Sequence, residues 1–440
     1  MAKVQHFFCL LYIILFAVAP TINRASAQPG GAAYYRDMTY DENIKTVQLY
    51  VKGWELSYPI LELGSNEELI FSFDDLDGDV KNYQYTIIHC NADWTRSTLF
   101  QSDYLDGFYE NPLDNYRLSF NTFVPYTHYS LTIPGYDLNI KLPGNYVLKV
   151  YEDFDQEKVV LTRRFMVSEP GVVIHAQVHQ PRHAAYHKIS HQVSFNVIHP
   201  ELQIRDPHSE LYVRVMQNGR KDKSLSDIKP MYIRSREVVY EDDEKLVFQA
   251  GNEFRNFDTK NIRYQTEFIR NIDFADGLYH VELHPSRSRE YTRYFSHHDI
   301  NGKFLIRNEE GRNPSVDADY VMVYFTLPWD VPFDNGDVYV IGELSDWNFH
   351  ENNQMTYNHS RKAYELTMLL KQGYYNYQFA FLEEGASVAN TSIFEGDFRE
   401  TENDYLIMVY HRAPGSRFDR LVGTKRINSR GEGAPRRSLF

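Results

Sequence analysis

The sequence predicts an all-β fold built from antiparallel β-sandwich domains in tandem. Three observations carry that prediction. Apolar residues recur with a period of two, and clusters of Gly, Asn, Asp and Pro separate the runs. Thirty-four tyrosines and 28 phenylalanines supply side chains suited to pleated, half-buried sheet surfaces. No amphipathic helix longer than a few turns stands out. At 440 residues, the chain has length for roughly two to four domains, each with a core of its own.

The N-terminus reads as a secretory signal. Lys3 supplies a short positive region, and "FFCLLYIILFAVA" (Phe7 to Ala19) an apolar stretch too short to span a bilayer permanently. Ala25-Ser26-Ala27 offers a small-residue cleavage site. Residues 1–27 are therefore expected to be removed as a signal peptide, and the remainder to work outside the cytoplasm. No second apolar run of spanning length follows. Cys9 opens the apolar stretch instead of sitting at a cleavage box, which argues against a lipoprotein. Its removal leaves only Cys90, so apolar burial and not a disulfide must hold the fold. Cys90 follows an alternating run and reads as a small buried apolar residue.

A first β-sandwich domain is expected at 37–168. Its strands include "KTVQLYV" (Val47, Leu49, Val51 on one face), "ELIFSF" (Leu69, Phe71, Phe73) and "NYVLKVY" (Tyr146, Leu148, Val150). Turns fall at 77–79 ("DGD") and 142–146 ("LPGNY"). A second β domain is expected at 169–312, opening on the Pro170-Gly171 joint, with strands around Val193, Phe195, Val197 and around Leu211, Val213, Val215. Its turns are "QNGRK" at 217–221 and "FADG" at 274–277. A third domain is expected at 313–412, after the polar break "NEEGRNPSVDAD". It contains the turn "KQGYY" (371–375) and the run Tyr375, Tyr377, Phe379, Phe381. Residues 413–440 read as a basic tail.

Charge narrows the partners. The formal net charge is −14, and losing Lys3 and Arg24 with the signal lowers it by two, to −16. Nucleic acid is thereby excluded as the main partner, because phosphate binding needs a basic footprint. From His411 onward the balance reverses, with eight Lys/Arg against Asp419 and Glu432. A basic end on an acidic body reads either as a docking arm or as a solvated terminus.

Few residues suggest chemistry. His175, His179, His183, His187 and His191 recur every four positions, but Pro181 breaks a helix and both flanks read as strands. On extended chain, five such histidines do not converge on one ion. "DDLDGDV" (Asp74 to Val80) invites a calcium reading. However, Val80 stands where an EF-hand loop needs glycine and Thr86 where it needs glutamate, so an aspartate-rich turn is favoured. The signatures G-x-S-x-G, H-E-x-x-H, the P-loop and G-x-G-x-x-G are missing where their flanking structure would be right. No catalytic, cofactor-binding or metal-binding residues are expected.

Several stretches, in order, resemble one family. "YQYTIIHCNADWTRS" (83–97), "DYLDGFYENPLDNYRLSFNTFVPYTHYSL" (103–131) and "LPGNYVLKVY" (142–151) are similar to the N-terminal region of the type IX secretion system plug proteins of Bacteroidetes. "HQVSFNV", "GNEFRNFD", "DINGKFLI", "DADYVMVYFTL" and "FDRLVGTKRINS" continue the resemblance nearly to the end of the chain. The resemblance implies a non-catalytic periplasmic protein of several β domains, without cofactor. Such a protein would sit at the outer membrane through a partner, the translocon barrel, whose periplasmic opening it occludes.

"VYVIGELSDWNF" and "KQGYYNYQFAF" further resemble the early-set, immunoglobulin-like modules that bind glycogen and starch. Trp347 matches the first of their two sugar-stacking tryptophans. Gln378 replaces the expected lysine, and the second tryptophan is absent from "LEEGASVAN". Trp347, Tyr375, Tyr377 and Gln378 are thus candidates for an interface or a vestigial sugar platform. A polysaccharide partner, with the chain acting as an α-glucan-binding protein, is the alternative reading.

Overall fold

The computed structural model describes residues 35–135, 138–242 and 244–431. The expected signal peptide and the last nine residues lie outside this range. The fold is mostly β, as the periodicity predicts, and its antiparallel sheets form three sandwiches with three principal cores.

In the first sandwich one sheet runs in the order Met38–Thr39, Val159–Ser168, Gly144–Glu152, Tyr83–Cys90, Asn111–Pro112. Ile60–Glu62 joins it in parallel beside Val159–Ser168. The facing sheet is Ile44–Val51, Leu69–Asp75, Thr127–Ile133, Tyr116–Leu118. Phe71, Phe73, Tyr129, Leu148, Val150 and Phe165 fill the space between them, all fully buried. Each such side chain contributes about 1.5–3 kcal/mol on leaving water. Phe73 stacks on Tyr129 at 5.2 Å, and Tyr83 meets the pair edge-on.

The second sandwich is assembled from two distant parts of the chain. Val173–His179, Ser190–Ile198, Glu237–Tyr240 and Tyr232–Arg234 form one sheet, with Val247–Gln249 paired to Ser190–Ile198. Its partner sheet is Leu211–Gln217, Asp404–His411, Arg420–Asn428. There Leu211 pairs with His411 and Gln217 with Tyr405, in unbroken antiparallel register. The third sandwich is inserted between these two parts. It packs a sheet of Arg255–Asp258, Gly373–Glu383, Phe304–Ile306 and Gly336–Ile341 against Ile269–Ala275, Leu278–Leu283, Tyr320–Pro328, Ala363–Lys371 and Thr356–Asn358. The turn Asp276-Gly277, with φ of 52° and 81°, has the left-handed pair of conformations that a two-residue hairpin loop needs.

Sheet membership therefore departs from the expected edges at 312 and 412. Residues 255–306 belong with the third sandwich, and 404–428 with the second. Residues 420–428, from the stretch read as a tail, form a strand of the second sandwich, paired along its length with Asp404–His411. Four of that stretch's basic residues neutralise acids of the body: Arg417 with Asp103, Arg420 with Glu169, Arg426 with Asp404, and Arg430 with Glu253. Local charge and periodicity carry no information about such long-range pairings.

The returning segment also covers the first sandwich. Gly144–Glu152 is buried at eight of its nine positions, although one face of its sheet already meets the first core. The other face lies against Leu406, Met408, Tyr410 and Leu421, which cluster with Met166. The three sandwiches thus form one compact body.

Candidate interaction surface

The four residues singled out in the sugar-module stretch are between 2 and 7% exposed. Trp347 meets Phe254 edge-on at 5.9 Å. Its ring lies over Gly302 so closely that a Cβ there would stand 2.4 Å from Cη2. Tyr375 is stacked between Phe257 and Phe304 at 5.1 and 5.3 Å, and its hydroxyl donates to the Lys371 carbonyl. Tyr377 packs on Phe325, and Gln378 donates through Nε2 to the Asn252 carbonyl at 3.0 Å. No ring face is left for a sugar. The expectation of a sugar platform on these residues is corrected by their burial, whose causes (Gly302, Phe254, Phe257, Phe304) lie outside the motif.

The same loop has another use. Asp346 and Trp347 both hold left-handed backbone, with φ of 55° and 58°, a conformation that non-glycine residues adopt at some cost. That bend lets Asp346 Oδ2 accept from Arg163 at 2.8 Å, while Asn348 Nδ2 donates to the Asp37 carbonyl at 2.9 Å. Both partners belong to the first sandwich. The "SDWN" loop therefore joins the third sandwich to the first.

The remaining polar candidates have separate partners. His179 pairs with Ser194, His183 accepts from Ala185 N–H, and His191 lies between the Tyr405 hydroxyl and the Arg399 carbonyl. The histidines form no joint ligand set among the described residues. Asp75, Asp77 and Asp79 do bring carboxylate oxygens within 4.8 Å of one another. The Lys81 ammonium pairs with Asp75 at 3.0 Å and with Asp77, and Asp77 N–H turns back onto Asp75 Oδ1. This is an Asx turn capped by a lysine. Cys90 is buried, and burial pushes its thiol up to about 12, far from the range of a reactive thiolate.

What the surface does offer is aromatic. Between residues 108 and 123 the chain exposes Phe108, Tyr109, Tyr116, Leu118, Phe120 and Phe123, with Phe120 at 75% and Phe108 at 68%. Tyr116–Leu118 is an edge strand exposed at every position. The following loop is held open against the third sandwich. Asp319 accepts from Phe123 N–H at 2.7 Å and Val124 N–H at 3.1 Å, and Phe120 N–H donates to the Val316 carbonyl. Phe123 then meets Phe274, itself half exposed, at 4.7 Å. Large apolar side chains fixed in water by backbone hydrogen bonds are the signature of a contact surface. Sequence reasoning missed this run. Its signal is local, since "FYENPLDNYRLSFNTF" carries aromatics among turn-forming residues without strand alternation.

A family model described as the type 9 secretion system plug protein first domain matches residues 44–169, which include the exposed aromatic run. The crystal structure of a hypothetical protein from Parabacteroides merdae is similar over 89% of this chain and 99% of that one. The two are 36% identical and superpose with a TM-score of 0.87. None of the curated proteins matches the chain.

Proposed function

The chain belongs to the type 9 secretion system plug protein family, and from that premise we propose that it occludes the periplasmic opening of the outer-membrane translocon barrel. No residues carry chemistry in this reading. The protein acts as a rigid body that fills or caps an opening, and its contact is made through the aromatic run at 108–123. The observation that carries the proposal is that run: six large apolar side chains held in solvent by the protein's own framework. Aromatic anchors of this kind dominate protein interfaces. Residence in the periplasm, peripheral to the outer membrane, follows from the family. No helix among the described residues is long and apolar enough to cross a membrane.

A tagged form recovered from gently solubilised outer membranes is expected to bring the translocon barrel with it. The variant Phe108→Ser/Phe120→Ser/Phe123→Ser, with an unchanged circular dichroism spectrum, is expected to lose most of that recovery. Failure of the unaltered protein to recover the barrel, where the barrel's other complexes survive, would overturn the proposal. Recovery undiminished in the triple variant would overturn the assignment of the contact surface.

A further inference from the structure

Where the three sandwiches meet, the protein contains a cavity of about 160 Å³. One part of its wall is apolar and adaptable: Met166 from the first sandwich, Met216 and Met408 from the second, and the rings of Trp94 and Trp347. Charged side chains line the rest, among them the pairs Arg163–Asp346 and Lys221–Asp37. Three arginines line it, and Arg163 is paired with Asp346, which leaves two guanidinium groups to account for. Arg164 projects from Val159–Ser168 and Arg214 from Leu211–Gln217.

Neither guanidinium forms an ion pair with a carboxylate among the described residues. Arg164 Nε donates to the Tyr35 carbonyl at 2.7 Å, and the group lies 4.3 Å from the Trp94 ring centre. Asp37, the acid beside it, accepts instead from the Arg164 backbone N–H and from Lys221. The Arg214 guanidinium makes no hydrogen bond or ion pair with any described residue. Burial lowers the pKa of Arg164, and the charge of Arg214 adds to that lowering against the opposing pull of Asp37. Ser224 Oγ, buried on the same cavity, also lacks a partner.

Several other buried cations have carboxylate partners: Lys371 has Asp74, Arg220 has Asp222, and Arg255 and Arg289 share Glu395. Lys303, on the same cavity, instead donates to the Leu56 and Ser57 carbonyls. Two like charges left facing each other in a partly buried space cost stability unless an anion joins them. An arginine fork matches the two oxygens of a carboxylate. The cavity's volume is close to the ~150 Å³ of a protein cavity that holds one benzene, and its methionines and tryptophans offer that group an apolar wall.

We propose that this cavity is a binding site for a monocarboxylate with a compact apolar body, held by Arg164 and Arg214 and enclosed by the methionines and tryptophans. The shared chemistry is a carboxylate on a benzene-sized group. It is supplied either by a free organic acid or by the C-terminal residue of a peptide.

Calorimetric titration of the purified, processed protein tests this with four probes: benzoate, benzamide, a short peptide ending in phenylalanine, and its C-terminal amide. Binding of benzoate or of the peptide acid is expected, at least about tenfold tighter than the matching amide. Benzoate binding alone identifies the free acid, and peptide-acid binding identifies the chain end. Arg214→Gln is expected to weaken that binding at least about tenfold, and Arg214→Lys, which keeps charge without the fork, by less. Because it removes an unpaired cation, Arg214→Gln is expected to leave the thermal midpoint unchanged or raised, separating lost binding from lost folding. Binding of neither acid at millimolar concentration, equal binding of the amides, or unchanged affinity in folded Arg214→Gln would each overturn the proposal.

Discussion

Lys371 Nζ lies 2.7 Å from Asp74 Oδ2, with both side chains about 1% exposed, and the pair joins the third sandwich to the first. Asp74 also accepts from the Tyr320 hydroxyl and pairs with His128 Nδ1, each at 2.7 Å. Lys371 donates to the Ser315 carbonyl and sits 4.0 Å from the Tyr126 ring centre. Burial alone would raise the carboxyl pKa of Asp74, but Lys371 and His128 outweigh it and hold the group below its ordinary value. Burial opposes the charge on Lys371, whose pKa is lowered despite Asp74. The partners that converge on Asp74 favour its carboxylate form.

Lys371→Met is expected to destabilise the protein by about 3–5 kcal/mol, because it strands a buried carboxylate. Asp74→Asn added to Lys371→Met is expected to recover part of that loss. Chemical denaturation of the four forms measures the coupling. Additive losses in the double variant would show that the pair does not act as a unit.

Asp299 gives the protein an opposite pH response. Burial pushes its pKa up to about 8, with help from the charge of Glu253. Between about pH 4 and pH 8 the folded form then holds a proton that the unfolded chain has released. Stability from this group is present below the unfolded value and is lost as pH rises through about 8. Unfolding midpoints measured from pH 5 to 8 are expected to fall more steeply in the unaltered protein than in Asp299→Asn. Parallel slopes would count against the assignment.

Gly302→Ala is expected to cost about 1–3 kcal/mol. The new Cβ meets Trp347 Cη2 at 2.4 Å, at a backbone φ of +80° that also disfavours a side chain. A lowered thermal midpoint with a shifted tryptophan emission spectrum is the expected readout. Wild-type values for both would show that the indole can move aside freely.

Cys90 is expected to resist thiol reagents at pH 8 in the folded protein and to react fully once denatured. Its thiol is buried and its pKa stands near 12, so almost no thiolate forms. Stoichiometric labelling within minutes under native conditions would contradict this.

The proposed complex with the translocon is expected to weaken as ionic strength rises. The body that carries the exposed aromatics is acidic, at −14 for the whole chain, and charge contributions to an interface are screened within about 10 Å at 0.1 M salt. Recovery of the barrel measured across a salt series checks this, and a flat series would leave the aromatic contact acting alone.

Much of the local structure was legible beforehand. Val193, Phe195 and Val197 alternate in the sequence and are all buried in the second core, as one face of a strand must be. Tyr375 and Tyr377, two apart, enter the same core for the same reason. The exposed run at 108–123 was not found, because outward-facing aromatics in a turn-rich segment have no periodicity to reveal them. The burial of Trp347 was not legible in its motif, because a motif records the residues of one loop and not what another strand lays over them.

By itself, then, the sequence determined the strands, their faces, the turns between them and the kind of family to which the chain belongs. Those follow from near-neighbour chemistry: the pleat repeats every two residues, and Asp-Gly turns need left-handed backbone. Only the tertiary structure decided which strands pair. It brought Asp404–His411 back to Leu211–Gln217, turned a basic "tail" into a structural strand, and buried Trp347 beneath Gly302 and Phe254. Pairing between distant strands depends on matching surfaces across the whole molecule, which no local pattern encodes.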